Sequence, residues 1–479
     1  MNKLAFCTIK ELRRLLDTQE VSRQEVVDYF LGQAEKHKNI NATIEVFSKD
    51  SILKETQESG ILSGIPGYIK DNIVQKGRNA SCASKMLQNF NSPYDATATA
   101  RLKEAGALLL GRANMDEFAM GSSGETSAYG VAKNPWNTEC VAGGSSSGSI
   151  ASVAAGMACW ALGSETGGSV RLPAALCGLV GFKPTYGAIS RYGLIAYGSS
   201  LDQIGITART VYDTALVFSA IAGNDPHDSS TLSRGMYDYT KNLDGSLKKG
   251  LRIGVIKEAL NGQGLHPEIK KATEDALKKY EELGATLVPL SMKTLEYGAA
   301  CYFIVSRAEA ASNLARFDGV RYGTRTKDAK NLIDMYEKTR QELFGQEVKA
   351  RILIGNYVLS VGHADEFYTN AQKIRAAIRQ EFMEVFKEVD VVALPTHSVP
   401  AFKIGEFDND KLAMDLQDYF TAPMNLAGIP AISIPVGQTE DKKPIGMQLA
   451  GPHCSEELLF QVAHAYEQVT SWHTLHPEI

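Results

Sequence analysis

The sequence predicts an α/β fold, and three observations lead there. Residues 251–257 read as a strand, 268–283 as a helix stopped by Gly284, and 285–290 as a second strand, which together make a βαβ unit with charged solvent faces. The centre of the chain, 64–205, alternates short apolar runs with glycine-marked turns and helices of small residues. Helical patterns bracket both, with capping boxes near the start and an amphipathic stretch at the end.

Thr8 with Glu11 and Ser22 with Glu25 each place a hydroxyl three residues before a glutamate, the signal for a helix start. The second opens a helix carrying Val26, Val27, Phe30, Leu31 and Ala34 at helical spacing. A strand follows at 43–47. In the centre, strands are expected at 67–74, 107–111 and 159–163. This region is rich in Gly, Ser and Ala and poor in charge. Small residues let backbones approach closely and glycine admits positive φ, so the active site is expected here. Beyond the βαβ unit, helices are expected through 306–389, then strands at 389–395, 431–436 and 446–449, then a helix over 456–470. The polar stretch 224–245 reads as a loop. With no internal repeat and no low-complexity linker, 1–479 is expected to form one domain. Its parts are a helical region (1–60), the small-residue core (64–205) and a completing α/β region (250–479).

Composition narrows the function. The 479 residues are 44% hydrophobic and 22% charged, ordinary values for a globular protein. A net charge of −5 and the absence of any Lys/Arg run argue against direct binding of a polyanion by this chain, so any nucleic acid would be held by a partner. The seven cysteines are scattered, odd in number and never spaced C-x-x-C, which points to a reduced, cytoplasmic setting and away from a zinc site. Residues 1–10 lack a long apolar run, so no signal peptide is expected. The most apolar stretch, 150–162, is too short to span a bilayer.

Three segments carry chemistry. The first runs from Gly64 through Lys70 and Asp71 to Asn72. Strand alternation puts Lys70 and Asp71 on opposite faces, so one of them should point inward. A buried lysine loses its charge by desolvation, and a neutral amine is a general base. A lone Lys-Asp pair is more often a solvated surface pair. The second segment is Gly143-Gly144-Ser145-Ser146-Ser147-Gly148-Ser149. A linker is disfavoured by the helix-forming residues that follow, and a phosphate loop by the missing lysine after Gly148. Gly144-x-Ser146-x-Gly148 also matches the nucleophile-elbow string, a short and weakly specific pattern. The third segment is Gly163-Ser164-Glu165-Thr166-Gly167-Gly168-Ser169-Val170-Arg171. Ser169 would start a helix running through Leu176. The backbone N–H groups of Thr166, Gly167, Gly168 and Ser169 would then be free to hold an oxyanion, aided by the helix N-terminus. The plainer reading is a glycine turn with Ser169 as N-cap.

Taken together, Lys70, Ser145 and Ser169 resemble the catalytic signature of the amidase signature family, with 24 positions between the serines (169 − 145). The resemblance is dense over 64–205 and includes 179–187 and 199–205. It implies the amidase-signature fold, a large mixed β-sheet covered by helices on both faces. It also implies roles: Ser169 as nucleophile, Ser145 (preceded by a cis peptide) as proton relay, Lys70 as base, and the four N–H groups of 166–169 as oxyanion hole. A weak hydroxyl nucleophile needs such a base.

Within the family, 114–121, 316–323, 344–349 and 420–428 are similar to the glutamine-hydrolysing subunits of tRNA-dependent amidotransferases. That likeness implies glutamine as substrate, held by Arg351 at its carboxylate, Asp418 at its ammonium and Tyr302 beside them. It implies no cofactor on this chain and no metal. ATP and Mg²⁺ are used at a B subunit, which handles the misacylated tRNA, and a small C subunit bridges the two. Read without the resemblance, Arg351 is a surface ion pair, Asp418 a helix cap and Tyr302 a core residue. Ser147, Glu165 and Leu172 depart from the commoner family residues. Three alternatives stay open: a free-standing amidase acting on a simple carboxamide, a non-catalytic scaffold, and an α/β-hydrolase centred on Ser146 with His397 or His453 as base.

Overall fold

The computed structural model describes residues 4–262 and 264–479, so part of the 1–10 stretch in which no signal peptide is expected lies outside the described residues. The strands are β1 (Thr43–Val46), β2 (Pro66–Lys70), β3 (Leu108–Ala113), β4 (Lys133–Asn134), β5 (Asn137–Val141), β6 (Trp160–Glu165) and β7 (Val180–Lys183). They continue with β8 (Gln203–Ala208), β9 (Arg252–Ile256), β10 (Thr286–Leu290), β11 (Val391–Pro395), β12 (Ala431–Gln438) and β13 (Pro444–Ala450). Among the described residues, β4 and β5 form a small hairpin and the other eleven form one sheet in the order β1-β3-β2-β6-β8-β7-β12-β13-β11-β9-β10. Its pairs β3-β2-β6 and β11-β9-β10 are parallel and the rest antiparallel, so the sheet is mixed.

β11 shows why helices cover both sides. Its side chains alternate, and all of them are buried. Val391 and Ala393 join a core with the helices Pro267–Glu282 and Glu456–Gln468. Val392 and Leu394 join a second core with Gly298–Asn313, Asn370–Glu388 and Ala422–Ala427. A strand apolar on both faces needs a layer of helices on each.

The local signals act as expected. Both capping boxes form, opening the helices Ile9–Asp17 and Arg23–Lys36; each such cap is worth about 1 kcal/mol. The βαβ unit is present, with β9 and β10 parallel. Residues 224–245 carry neither helix nor strand. No helix among the described residues is long and apolar enough to cross a membrane.

One strand differs from expectation in a way that matters. The apolar run 67–74 predicts a longer strand, but β2 stops at Lys70. The chain turns there, with the Ile73 N–H donating to the Lys70 carbonyl at 2.9 Å. Ile73 and Val74 still enter the core, which explains why periodicity alone overran the strand end.

β2 also shows a close approach that requires glycine. A Cβ on Gly67 would lie 2.2 Å from the ring of Trp160 on neighbouring β6. Trp160 heads the fully buried side chains by size. Replacing Trp160 by alanine is expected to cost about 3–5 kcal/mol, read as a lowered urea midpoint at constant m-value. A loss below about 1 kcal/mol would show that the ring does not hold this part of the sheet.

Candidate active site

β2 and β6 are parallel neighbours, so the residues at and just beyond their C-terminal ends emerge at the same edge of the sheet. Lys70 ends β2. β6 ends at Glu165 and runs into the turn 166–170. The serine-rich loop comes down beside them before the helix Ser147–Ala154. Three segments far apart in sequence thus meet in one place.

Lys70 has no solvent exposure. Its Nζ lies 2.8 Å from Ser145 Oγ, 2.9 Å from Ser146 Oγ and 3.1 Å from the Ser164 carbonyl. Burial lowers its pKa to about 7, against the opposing pull of Asp116, Asp202, Cys82 and Glu165. A neutral amine has two N–H donors and one lone pair. The Ser164 carbonyl can only accept. Ser146 Oγ donates to that same carbonyl at 3.1 Å and accepts the Ser164 N–H at 3.2 Å, so its proton is already committed. Both N–H groups of the amine therefore go to Ser164 and Ser146. The lone pair is left for the hydroxyl proton of Ser145. Ser146 is thus a strut under the lysine, and Ser145 is the hydroxyl placed to hand a proton to the neutral amine.

Lys70 and Asp71 do point apart, but both are buried, not one. Asp71 has its own partners, accepting from the N–H groups of Ser81 (3.1 Å) and Ala83 (3.0 Å), from the Ser81 hydroxyl and from Arg112.

The peptide bond between Gly144 and Ser145 is cis. The Ser146 N–H donates to the Ser169 carbonyl at 3.1 Å, which ties the serine loop to the turn after β6. Among the described residues, no side-chain hydrogen bond joins Ser145 to Ser169. The N–H groups of Thr166, Gly167, Gly168 and Ser169 have no acceptor among the described loop and turn contacts.

The helix after this turn departs from the sequence expectation. It spans Arg171–Leu176 with Val170 at the N-cap, so Ser169 lies just outside it. The N–H groups of Val170 and Arg171 both go to the Glu165 carboxylate, at 3.1 and 3.0 Å. The helix N-terminus is therefore already used, and the amides left without an acceptor among the described contacts are those of the turn itself. Glu165, a departure from the commoner aspartate, also binds the Arg171 guanidinium in a fully buried ion pair. Its pKa is pulled below the usual range because Arg171 outweighs the burial that would raise it. Leu172 packs with Cys140, Leu176 and Ala401. The Ser147 hydroxyl is buried without a partner, close against Gly124.

Tyr302 and Asp418 flank the turn. A Cβ on Gly167 would lie 2.5 Å from Tyr302 Cζ, and one on Gly168 would lie 2.5 Å from Asp418 Oδ1. Only glycines let these two side chains press against that backbone. Asp418 accepts from the Ser122 hydroxyl at 3.1 Å. Burial raises its pKa to about 7. Arg351, on the helix Gln346–Leu359, is buried, with Glu347 at 2.8 Å and the Tyr197 hydroxyl at 2.8 Å. Arg351 makes the helix ion pair that sequence alone suggests but is buried, Asp418 is buried too, and Tyr302 packs in a core cluster with Cys301 and Val305. Among the described residues Arg351 and Asp418 do not pair with each other; Glu347 and Tyr197 hold the one and Ser122 the other.

The α/β-hydrolase alternative fails on geometry. Ser146 meets a lysine and no imidazole. His397 Nδ1 is engaged with the Val399 carbonyl at 2.7 Å and its Nε2 accepts the Gly446 N–H at 3.3 Å. His453 contacts Cys454. Among the described residues no group of three or more His, Cys, Asp or Glu side chains could hold a metal.

Several residues of the site were invisible in the sequence. Ser122, Tyr197 and Glu347 hold Asp418 and Arg351, while Asp116 accepts from Gly124, Thr126 and the Thr126 hydroxyl and so fixes the loop behind Gly144. Ser122 and Tyr197 lie far from Asp418 and Arg351 in the chain, and only folding joins them, whereas Glu347 sits one helical turn before Arg351.

The pattern of the family described as Amidase matches residues 25–460. The A subunit of the glutamyl-tRNA(Gln) amidotransferase of Geobacter metallireducens is 49% identical over 476 residues, which cover 98% of both chains. The crystal structure of the corresponding Thermotoga maritima protein, which bears the same name, matches with a TM-score of 0.83 and 38% identity, covering 98% of this chain and 96% of that one. A 6-aminohexanoate cyclic dimer hydrolase matches with a TM-score of 0.86 and 26% identity over 99% of both chains. With a match over most of its length and near-half identity to a full-length relative, the chain belongs to the amidase family.

Proposed function

We propose that this chain is the glutamine-hydrolysing component of a tRNA-dependent amidotransferase, releasing ammonia for the conversion of Glu-tRNA(Gln) to Gln-tRNA(Gln). One observation carries the chemistry: a buried lysine whose lone pair can take a proton only from Ser145, beside a turn of free amides. The branch of the family is supported by the near-full-length relatives and by Arg351, Asp418 and Tyr302.

In this reading Ser169 Oγ attacks the side-chain carbonyl carbon of glutamine. Its proton passes to Ser145 as the Ser145 proton passes to the Lys70 amine. The link between the two serine hydroxyls closes when substrate is seated, as catalytic hydrogen bonds commonly do. The developing oxyanion is held by the N–H groups of Thr166, Gly167, Gly168 and Ser169. Collapse breaks the C–N bond, and the proton returns through Ser145 to the leaving nitrogen, which departs as ammonia. Water then attacks the ester on Ser169 by the same relay, giving glutamate and free enzyme. Arg351 grips the α-carboxylate and Asp418 the α-ammonium. The ammonium, once beside Asp418, lowers the pKa that burial has raised.

The ammonia is used by a B subunit, where ATP and Mg²⁺ activate the misacylated tRNA, with a C subunit between them. The chain itself needs no cofactor. Its net charge of −5 suits a position away from the RNA, in the cytoplasm.

Ammonia release by the purified chain, with and without its partners, tests this reading. Preference for glutamine over a neutral amide is expected. Equal or better turnover of the neutral amide would return the chain to the free-standing amidases. Ser169→Ala should reduce release to background, and Lys70→Ala should lower kcat by about 10²–10⁴-fold; ammonia production by Ser169→Ala would defeat the nucleophile assignment. Because Lys70 acts as a neutral base, kcat/KM for a neutral amide should fall as pH drops through about 7. A profile flat from pH 5 to 8 would contradict it. Asp418→Asn and Arg351→Lys should each raise KM for glutamine about 10–100-fold, from a lost charged hydrogen bond, and spare the neutral amide. Equal losses on both substrates would remove them from the anchor.

A further inference from the structure

The sequence motif 199–205 contains an aspartate that the chemistry above does not use. Asp202 is buried at the point where two halves of the site meet. Its Oδ1 accepts from the Thr166 hydroxyl at 2.7 Å, and Thr166 opens the turn of free amides. Its carboxylate also accepts the N–H of Tyr197 at 2.8 Å and of Gly198 at 3.1 Å. Tyr197 in turn receives Arg351 Nη1 on its hydroxyl at 2.8 Å. One carboxylate therefore touches the oxyanion turn directly and the carboxylate anchor at one remove.

We propose that Asp202 is a positioning residue that locks the oxyanion turn through Thr166 and the Arg351 anchor through Tyr197, so that both ends of the substrate are held in register by one group. The inference rests on the glutaminase reading for the Arg351 arm alone; the Thr166 arm applies to any amide. A group shared in this way fixes the distance between the reacting carbonyl and the far carboxylate, which is what discriminates glutamine from shorter and longer amides.

Charge adds a second consequence. Asp202 is among the groups that oppose the loss of the Lys70 proton, with Asp116, Cys82 and Glu165. Facing Asp202 itself are the Thr166 hydroxyl, the two amides of Tyr197 and Gly198, and the Arg191 guanidinium. In Asp202→Asn the amide nitrogen can donate to Thr166 Oγ1 while the oxygen keeps the two backbone N–H groups. The variant thus removes the charge with little change of shape. Lys70 then becomes neutral more readily, and the acid limb of the rate profile moves to lower pH.

The test measures kcat, KM and pH profile for glutamine and for a small neutral amide in the full chain with its partners. Asp202→Ala, Asp202→Asn, Thr166→Val, Thr166→Ser and Tyr197→Phe are compared, with thermal melting as a folding control. Thr166→Val should lower kcat about 100-fold on both amides, the scale of a misplaced reacting group, and Thr166→Ser should recover most of it. Tyr197→Phe should raise KM for glutamine about tenfold, the scale of one lost hydrogen bond to a charged group, and leave the neutral amide alone. Asp202→Ala, which removes every acceptor, should show both effects, and adding Thr166→Val to it should cost no further kcat. Asp202→Asn should hold kcat and KM within a few-fold of wild type above the limb and move the acid limb to lower pH. The proposal is overturned if Asp202→Ala stays within about twofold of wild type, if its effect and that of Thr166→Val multiply, or if the limb of Asp202→Asn does not move. Should Asp202→Ala fail to fold, equal activity of Thr166→Val and Thr166→Ser overturns it alone. If the unmodified protein releases no ammonia from glutamine but cleaves the neutral amide, the glutaminase reading fails while the Thr166 comparison still decides the oxyanion arm.

Discussion

A lysine amine with no access to water governs this site. In water an ammonium holds its proton to a pKa near 10.4, far above any working pH, and is useless as a base. The end of β2 removes that option. Lys70 there sees two serine hydroxyls, one carbonyl and the edge of the sheet, and its pKa falls to about 7. Everything around it serves that condition. The small residues of the serine loop pack closely enough to exclude water. Ser146 and the Ser164 carbonyl take the two donors of the neutral amine, which leaves its lone pair for Ser145.

Such a site needs negative charge nearby, but not too near. Full burial without compensation would drive Lys70 further down and remove its affinity for the proton it must carry. Asp116, Asp202 and Glu165 supply the balance, none of them within hydrogen-bond contact of the amine. Each is occupied elsewhere: Asp116 with the loop at 124–126, Asp202 with Thr166 and Tyr197, Glu165 with Arg171. The arrangement keeps these carboxylates at a distance by giving them other donors. Removing one partner of the buried Glu165–Arg171 pair would be costly, because it strands a charge in a dry interior. Arg171 also reaches Gln448, the Thr421 carbonyl and Asn425, so the same pair ties the catalytic turn to the segment bearing Asp418.

How much was legible beforehand varies with the physics of each feature. Capping boxes, the βαβ unit and the final helix were read to within a residue or two, because each rests on contacts a few positions apart. The end of β2 was overrun, since Ile73 and Val74 are as apolar in a turn over the core as in a strand. The helix after Ser169 was started too early. Its N-terminal amides are taken by the Glu165 side chain, a cap that no pattern of sequence neighbours announces. Both Lys70 and Asp71 turned out to be buried, because Arg112 arrives from β3 to match the aspartate.

By itself the sequence determined which groups are available: one lysine inside an apolar run, two serines 24 positions apart and a glycine turn. The family likeness then supplied the roles expected of them. Tertiary structure alone decided the rest. It put Ser146 in contact with both Lys70 and Ser164 while, among the described residues, the Ser145 hydroxyl meets Lys70 alone, left the free amides in the turn and not the helix, and joined the turn to Tyr197 through Asp202. These are matters of hydrogen-bond direction and of desolvation. Both depend on which groups meet across the sheet edge, and that is fixed only when strands distant in the chain lie side by side.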